Sequence, residues 1–254
     1  MKQLLVITLA IFSLSACTKK ELGSNIASYG LKAYMDSKAY LPTGNVIAFA
    51  GGNPSSFMGD ADNPISVFFY AEEGASNFQY FETNSINVDP NDYNQYFPKD
   101  YDMTVLYKGF MRKFDHPSIA NERWGIVTYE TDGTVHVCDP IRIKAVVAPT
   151  EDVSPGVTII ESGVNPEFDW FFVNEPQSET YLSIVSDMEN NLVSAVYTND
   201  KFWTFYSISN VVLNLTPGSE APSLIPDSEY NYTMFGISED NWVHTITLRS
   251  FETD

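Results

Sequence analysis

The chain has 254 residues and a mass of 28.5 kDa, and with 44% hydrophobic and 19% charged residues it can fold around a core. Thirty-three acidic residues against 14 basic ones give a formal charge of -19, which excludes nucleic acid and anionic lipid headgroups as electrostatic partners. The two cysteines are too few for a disulfide scaffold or a Cys-based zinc site.

The N-terminus has the pattern of an export signal over residues 1–16. Lys2 is followed by an uncharged apolar run over residues 4–14, and the small residues Ser15 and Ala16 precede Cys17. The run is too short to cross a ~30 Å hydrocarbon core, and its length is typical of the apolar region of a secretory signal. An ordinary secretory signal with Cys17 standing there by chance remains the alternative.

The tetrapeptide 14–17, Leu-Ser-Ala-Cys, resembles the lipobox of bacterial lipoproteins. The resemblance implies cleavage before Cys17 and acylation of that residue with groups such as palmitate, since several acyl chains are needed for a stable membrane anchor. No Asp follows Cys17, which favours the outer membrane or the cell surface, and the short basic–acidic segment 19–21 is similar to export signals of Bacteroidetes surface lipoproteins. Residues 17–45 are predicted to be a lipidated tether with a short helix.

From Val46 onward, hydrophobic residues alternate with a period of two, which is typical of β-strands. No amphipathic helix of 12 residues is predicted after position 45, so the fold class is all-β. The predicted strands are 46–49, 65–70, 78–81, 104–107, 124–129, 135–137, 141–147, 157–160, 170–173, 181–185, 192–197, 205–208, 211–215, 230–237 and 243–248.

The chain is predicted to form two tandem β-sandwich domains, 46–147 and 155–254, joined by a linker at 148–154 that contains two prolines and two acidic residues. Charge changes across this linker, because residues 17–146 carry 16 acidic and 11 basic side chains while 147–254 carry 17 and two. Weak internal repeats, 74–80 with 177–183 and 132–136 with 240–244, also indicate two similar units.

Residues 224–237, LIPDSEYNYTMFGI, resemble the sixth-strand corner of fibronectin type III domains, with Leu224, Pro226, Ser228 and Tyr230 at the matching positions. The resemblance implies that Leu224 closes one end of the sandwich. It also implies that the hydroxyl of Tyr230 bonds to the backbone of the preceding corner.

Other parts of the fibronectin type III, or immunoglobulin-like, pattern are also present. Trp170 resembles the core Trp of the second strand, and Tyr181 lies where the third strand is expected. In the first half, Phe69 takes the place of that Trp, residues 124–129 resemble the sixth strand and 139–143 the closing strand. The Leu-x-Pro corner is absent there.

The histidines and Cys138 match no catalytic or metal-binding motif. His116, His136 and His244 have no metal-binding spacing and are predicted to lie on strand faces. Cys138 loses its only potential disulfide partner if Cys17 is acylated, and we expect a buried free thiol. No catalytic residue and no cofactor is predicted.

Two acidic segments offer the hard oxygen ligands that calcium prefers. Asp60 and Asp62 form one pair, and Asp89 and Asp92 form the other. Neither completes an EF-hand loop, and turns capped by Asp side chains explain both segments equally well. Calcium therefore stays an alternative to a purely structural role, and no metal is predicted.

Three aromatic residues at predicted turns, Phe202, Trp203 and Trp242, are candidates for stacking on a sugar ring. The predicted function is therefore that of a non-catalytic surface lipoprotein, a binding, adhesion or scaffold module, with neutral glycans as one ligand class. Its predicted partners are the membrane, through the lipid anchor, and a glycan or protein. The alternative is an extracytoplasmic hydrolase that uses a carboxylate pair selected by no recognisable motif.

Overall fold

The computed structural model describes residues 29–41, 44, 46–52, 58–145, 147–160, 163–171, 178–218 and 220–254. The signal segment 1–16 and Cys17 lie outside this range. The fold is all-β, as the alternating pattern predicts, with one six-residue α-helix, α1 (Leu31–Asp36). None of the described helices has the length and apolar character needed to cross a membrane.

Nineteen strands are described. Those of the first half are β1 (Ala39–Tyr40), β2 (Ala48–Gly52), β3 (Ile65–Tyr70), β4 (Ser76–Glu82), β5 (Phe97–Lys99), β6 (Met103–Leu106), β7 (Met111–His116), β8 (Arg123–Thr131), β9 (Thr134–Val137) and β10 (Ile141–Ile143). Those of the second half are β11 (Glu151–Asp152), β12 (Thr158–Ile160), β13 (Glu167–Asp169), β14 (Thr180–Asp187), β15 (Leu192–Thr198), β16 (Phe202–Thr204), β17 (Val211–Asn214), β18 (Glu229–Ile237) and β19 (Val243–Glu252).

Each half of the chain forms two sheets that enclose a core. In the first half, β2-β3-β7-β6 pack against β1-β9-β8-β4-β5, with β10 also paired to β8. In the second half, β12-β13-β16 pack against β11-β19-β18-β14-β15-β17. We call these pairs of sheets the first and the second sandwich. In the first sandwich β4 pairs with β8, and in the second β14 pairs with β18, which is the pairing of the third and sixth strands in immunoglobulin-like folds.

The two sandwiches are stacked face to face, so that the four sheets form four layers. In β14, Tyr181 and Val185 face the core of the second sandwich, whereas Leu182 and Ile184 face the first sandwich. Because successive side chains of a strand point to opposite faces, a strand with both faces apolar is covered on both sides. The central strands of the two inner sheets are therefore buried on both faces, and we call the apolar layer between these sheets the central layer.

The central layer is rich in aromatic contacts between the two halves of the chain. The ring of Phe235 in β18 lies 5.2 Å from the rings of both Phe49 and Phe68 in the first sandwich. The hydroxyl of Tyr107 donates a buried hydrogen bond of 3.0 Å to Thr233. An apolar contact of this kind fixes the relative position of two units more firmly than a polar linker does.

The corner of the second sandwich has the geometry that the family resemblance implies. The backbone N–H of Ile225 donates to the hydroxyl of Tyr230 at 3.0 Å, and Leu224 is buried in the core. Trp170 is fully buried beside Tyr181, with ring centroids 5.4 Å apart. These contacts support an immunoglobulin-like or fibronectin type III-like sandwich.

The predicted tether ends earlier than position 45. The short helix is α1, and its Leu31 and Tyr34 are buried against the first sandwich. The hydroxyl of Tyr34 donates to Glu130 at 2.5 Å, and β1 adds a parallel strand beside β9. Apolar side chains at helical spacing therefore attach this segment to the core instead of leaving it extended.

The predicted linker 148–154 is also integrated into the fold. Thr150 is buried, accepts a hydrogen bond from the N–H of Gly52 at 3.1 Å and donates to the carbonyl of Val243 at 2.7 Å. The next two residues form β11, which pairs in parallel with β19. This segment thus connects both sandwiches through hydrogen bonds.

Candidate functional site

A groove opens where the first and second sandwiches meet. It comprises a cavity of about 400 Å³ and an adjoining cavity of about 710 Å³. Both cavities are lined by Asp139, Glu179, Ser238, Glu239 and Asn241. We call this continuous depression the interdomain groove, and it is the candidate functional site.

The smaller cavity has an apolar floor. Phe49 and Ile237 reach it from the central layer, and Tyr197 joins them from β15. One wall is β17, where Val212 and Leu213 are 60% and 42% exposed. The floor exists because the first sandwich covers the facing sheet incompletely and leaves its β15–β17 side open.

Carboxylates form the rim of the groove. Asp139 follows β9, Glu179 precedes β14 and Glu239 lies in the turn between β18 and β19. All three are exposed, and within the described part of the chain none is paired with a basic side chain. Each stands at a strand end, where the polar residues of turns are expected.

The larger cavity contains an ion pair between the two sandwiches. The ammonium group of Lys144 lies 2.8 Å from the carboxylate of Asp240, which also accepts from the hydroxyl of Ser238 at 2.6 Å. Burial raises the pKa of Asp240, but the hydrogen bonds from Lys144 and Ser238 and the charges of Lys144 and Arg142 lower it more, so its pKa is below the ordinary value. Asp240 is therefore held ionised, which suits a structural role and does not suit a general acid.

The sequence-based assignment of Trp203 and Trp242 to an exposed glycan patch is wrong, because both indoles are fully buried. The N–H of Trp203 donates to the carbonyl of Ser207 at 2.8 Å, which closes a turn where residues 205–208 were predicted to be a strand. Only Phe202 of the three is exposed, at 43%, on the outer face of β16.

Trp242 connects the two sandwiches. It follows the turn that ends β18, yet its ring belongs to the hydrophobic core of the first sandwich, and its N–H donates to the carbonyl of Ala148 at 2.7 Å. A Cβ atom at Gly52 would lie 3.2 Å from this ring and 2.7 Å from the Cβ of Ala145. Only glycine at position 52 lets β2 pass this closely.

Three of the four calcium-candidate carboxylates, those of Asp60, Asp89 and Asp92, accept turn hydrogen bonds. Asp60 accepts from the N–H groups of Asp62 and Asn63 at 2.9 and 2.7 Å, and Asp89 accepts from Asn91 at 2.9 Å. Asp92 accepts from the backbone and side chain of Asn94. No three His, Cys, Asp or Glu side chains of the described residues converge on a point where they could hold a metal ion.

The three histidines, predicted to lie on strand faces, are all buried: His136 and His244 are 9% and 8% exposed, and His116 is completely buried. Its Nε2 contacts the carboxylate of Glu82, and both side chains are fully buried. Arg123 and Lys99 approach the same carboxylate at 3.2 and 3.8 Å. We call these four residues the Glu82 network.

Cys138 is a buried free thiol, as predicted. Its sulfur accepts from the N–H of Val127 at 3.1 Å, and burial raises its pKa to about 12. A thiol with this pKa is almost entirely protonated at neutral pH and is not a nucleophile.

Similarity to known proteins is confined to solved structures. No protein-family model and no curated protein matches the chain. Among solved structures, the FN1–FN3 domains of chicken CNTN1 share 12% identity over 85% of this chain and 68% of that chain, with a TM-score of 0.29. The structure of the receptor tyrosine kinase Torso shares 13% identity over 86% and 76%, with a TM-score of 0.23. Dimeric latent PorU from Porphyromonas gingivalis shares 12% identity over 82% and 20%, also with a TM-score of 0.23. Similarity at this level transfers no function to the chain.

Sequence reasoning missed the residues of the groove. Asp139, Glu179 and Glu239 belong to no catalytic or ligand-binding motif and are separated by 40 or more positions. The one signal they share is an acidic residue at the end of a predicted strand. That signal recurs throughout this acidic chain and does not show which strand ends meet.

Proposed function

We propose that the protein is an exported, lipid-anchored binding protein that holds a partner in the interdomain groove and performs no chemistry on it. The observation that supports this most directly is the groove itself, which combines an apolar floor with a rim of unpaired carboxylates. Pockets of this kind, concave and largely preformed, are where ligands usually bind. The central layer supports the proposal further, because it holds the two walls at a set separation.

The binding proposal is tested by blocking the groove. Fluorescently labelled full-length protein in detergent is applied to peptide and glycan arrays, alongside the variants Leu213→Trp and Val105→Trp. Both positions are exposed on edge strands, at 42% and 49%, but only Leu213 lines the groove. We expect the binding signals to fall about tenfold in Leu213→Trp, because the larger side chain obstructs the groove, and to persist in Val105→Trp. A tenfold loss corresponds to ~1.4 kcal/mol of binding free energy. Arrays that respond equally to both variants contradict the proposal.

The anchoring proposal rests on the lipobox resemblance and is tested at Cys17. We expect Cys17→Ser to lose acylation and to leave the membrane fraction. If the variant is exported and processed but still sediments with membranes, the anchor is not at this residue.

A second candidate function, neutral glycan binding, is supported only at Phe202. This exposed ring lies in β16 directly opposite Asp169 of β13, and both stand on the outer face of their sheet. Aromatic rings with a neighbouring carboxylate suit a sugar that stacks and hydrogen-bonds. We expect Phe202→Ala to lose retention on neutral polysaccharide, and unchanged retention would remove this candidate.

A further inference from the structure

The wall of the groove formed by β17 is an edge strand. In the described part of the chain it is the last strand of the six-stranded sheet, paired on one side with β15. Natural sheets protect such edges with proline, lysine or bulges. The segment Val211–Asn214 contains no proline and no charge, and Val212 and Leu213 are exposed on it. Its pairing with β15 contains a bulge between Tyr197 and Thr198. The wall of the groove is thus uncharged and apolar, and its exposed side chains can pack against an extended peptide that lies in the groove.

The charge around this edge indicates the chemistry of the peptide. Residues 147–254 carry 17 acidic side chains and only Lys201 and Arg249 as basic ones. Arg249 donates to the carbonyls of Ser154 and Val157 and so is directed away from the rim. A second copy of the chain would bring the same negative charge to the edge, and like charges disfavour that contact. A basic partner is favoured instead.

We infer that the interdomain groove takes an extended peptide segment in which basic and apolar residues alternate. This inference rests on the proposed function and names the partner class of the same site. Alternate side chains of an extended peptide point to the same side. In a peptide that lies along the groove, one set contacts the apolar floor at Tyr197 and Ile237, and the other faces the rim carboxylates Asp139, Glu179 and Glu239.

The test uses three fluorescein-labelled synthetic peptides of equal length, with alternating Lys and Val, alternating Glu and Val, and alternating Lys and Ser. Fluorescence anisotropy with the full-length protein in detergent at physiological salt measures their affinities. We expect the Lys–Val peptide to bind at least about tenfold more tightly than either other peptide. The Glu–Val peptide lacks basic side chains for the rim, and the Lys–Ser peptide lacks apolar side chains for the floor.

Matched variants distinguish the effect of the rim carboxylates on peptide binding from the effect of the overall negative charge of the protein. The triple variant Asp139→Asn, Glu179→Gln, Glu239→Gln is expected to weaken Lys–Val binding about tenfold, a modest effect per exposed ion pair. A control triple, Glu73→Gln, Asp132→Asn, Glu189→Gln, removes the same charge from exposed positions outside the groove and should change the affinity less than about twofold.

Several outcomes overturn the inference. Equal binding of the Glu–Val and Lys–Val peptides, or equal losses in the two triple variants, shows that the rim does not select a basic peptide. If sedimentation shows a dimer that Leu213→Trp dissociates, the edge is occupied by a second copy. If a glycan or an acidic peptide from the arrays is lost in Leu213→Trp while Lys–Val does not bind, this inference fails and the proposed function stands. If no ligand responds to Leu213→Trp, both fail.

Discussion

Trp242 belongs to the second half of the sequence, but its ring is packed in the core of the first sandwich. It follows a turn whose residues Asp240 and Asn241 are also bound to the first sandwich, through Lys144 and the carbonyl of Pro140. The turn between β18 and β19 thus inserts the ring of Trp242 into the core of the first sandwich, and the hydrogen bonds of Asp240 and Asn241 hold the turn in place. This explains why a residue that looks like an exposed turn aromatic in the sequence is completely buried.

We expect Trp242→Ala to lower the free energy of unfolding by about 3–5 kcal/mol, because it leaves a cavity in the core and removes the bond to Ala148. Urea unfolding followed by circular dichroism measures the change. Phe202→Ala is the control, since this exposed ring should contribute less than about 0.5 kcal/mol. Equal midpoints for wild type and Trp242→Ala would show that Trp242 does not stabilise the fold.

Glu82 is the centre of a buried charge network. Burial raises its pKa, but the hydrogen bond from His116 and the charges of His116, Arg123 and Lys99 lower it more, so the pKa is below its ordinary value of 4.5. A carboxyl group with a lowered pKa in the folded state stabilises the protein above the pKa of the unfolded state. This contribution disappears as the pH falls through the folded-state pKa.

We expect Glu82→Gln to cost about 3–5 kcal/mol at neutral pH, because it leaves the partly buried side chains of Arg123 and Lys99 without their counter-charge. The difference between wild type and variant should shrink as the pH falls below 4.5, where the carboxyl of the unfolded wild-type chain begins to protonate, and disappear as the pH falls through the lower pKa of the folded state. Urea midpoints measured from neutral pH downward test this. A difference that stays constant with pH contradicts a role for the charge of Glu82.

At the scale of the element, the corner before β18 determines how this strand enters the sheet. The bond from the N–H of Ile225 to Tyr230 closes the corner, and Thr253 donates to the carbonyl of Ile225 at 2.6 Å. The corner is thereby joined to the end of the neighbouring strand β19. Its residues lie close together in the chain, so the motif is recognisable in the sequence.

We expect Tyr230→Phe to reduce the free energy of unfolding by about 1–2 kcal/mol, because the N–H of Ile225 loses its acceptor. Tyr206→Phe is the matched control, since its hydroxyl accepts from Asn214 at an exposed position and should matter little. Chemical denaturation of both variants tests the difference. If Tyr206→Phe is as destabilising as Tyr230→Phe, the corner bond has no special role.

At the scale of the whole molecule, the central layer joins the two sandwiches into one block. Units connected only by a flexible linker unfold separately, whereas a large apolar contact couples them. Phe68 and Phe235 come from different sandwiches and lie 5.2 Å apart in this layer. The interdomain groove depends on this coupling, since its floor and rim come from both sandwiches.

We expect differential scanning calorimetry to show one transition for the wild-type protein, with equal calorimetric and van't Hoff enthalpies. Phe68→Ser should weaken the central layer, separate the transition into two and weaken binding in the groove. Phe202→Ser, an exposed change of the same kind, should leave one transition. Two transitions in the wild type would show that the sandwiches are independent.

The sequence by itself was sufficient for the all-β class, for α1 and for the corner at Tyr230. These features depend on residues close together in the chain, through side-chain periodicity and short motifs. It was also sufficient for the buried thiol of Cys138. Boundaries were predicted less well, and residues 31–41 and 148–154 pack on the sandwiches although their composition suggested a tether and a linker.

Only the tertiary structure decided the burial of Trp203 and Trp242, the stacking of the sandwiches and the position of the groove. A strand that has apolar side chains on both faces shows that each face is covered, but it does not show which part of the chain covers it. The groove joins Asp139, which follows β9, with Glu179, which precedes β14, and Leu213 of β17, and these residues meet only when the two sandwiches dock. Docking of this kind depends on the shapes of whole faces, which no local segment of the sequence encodes.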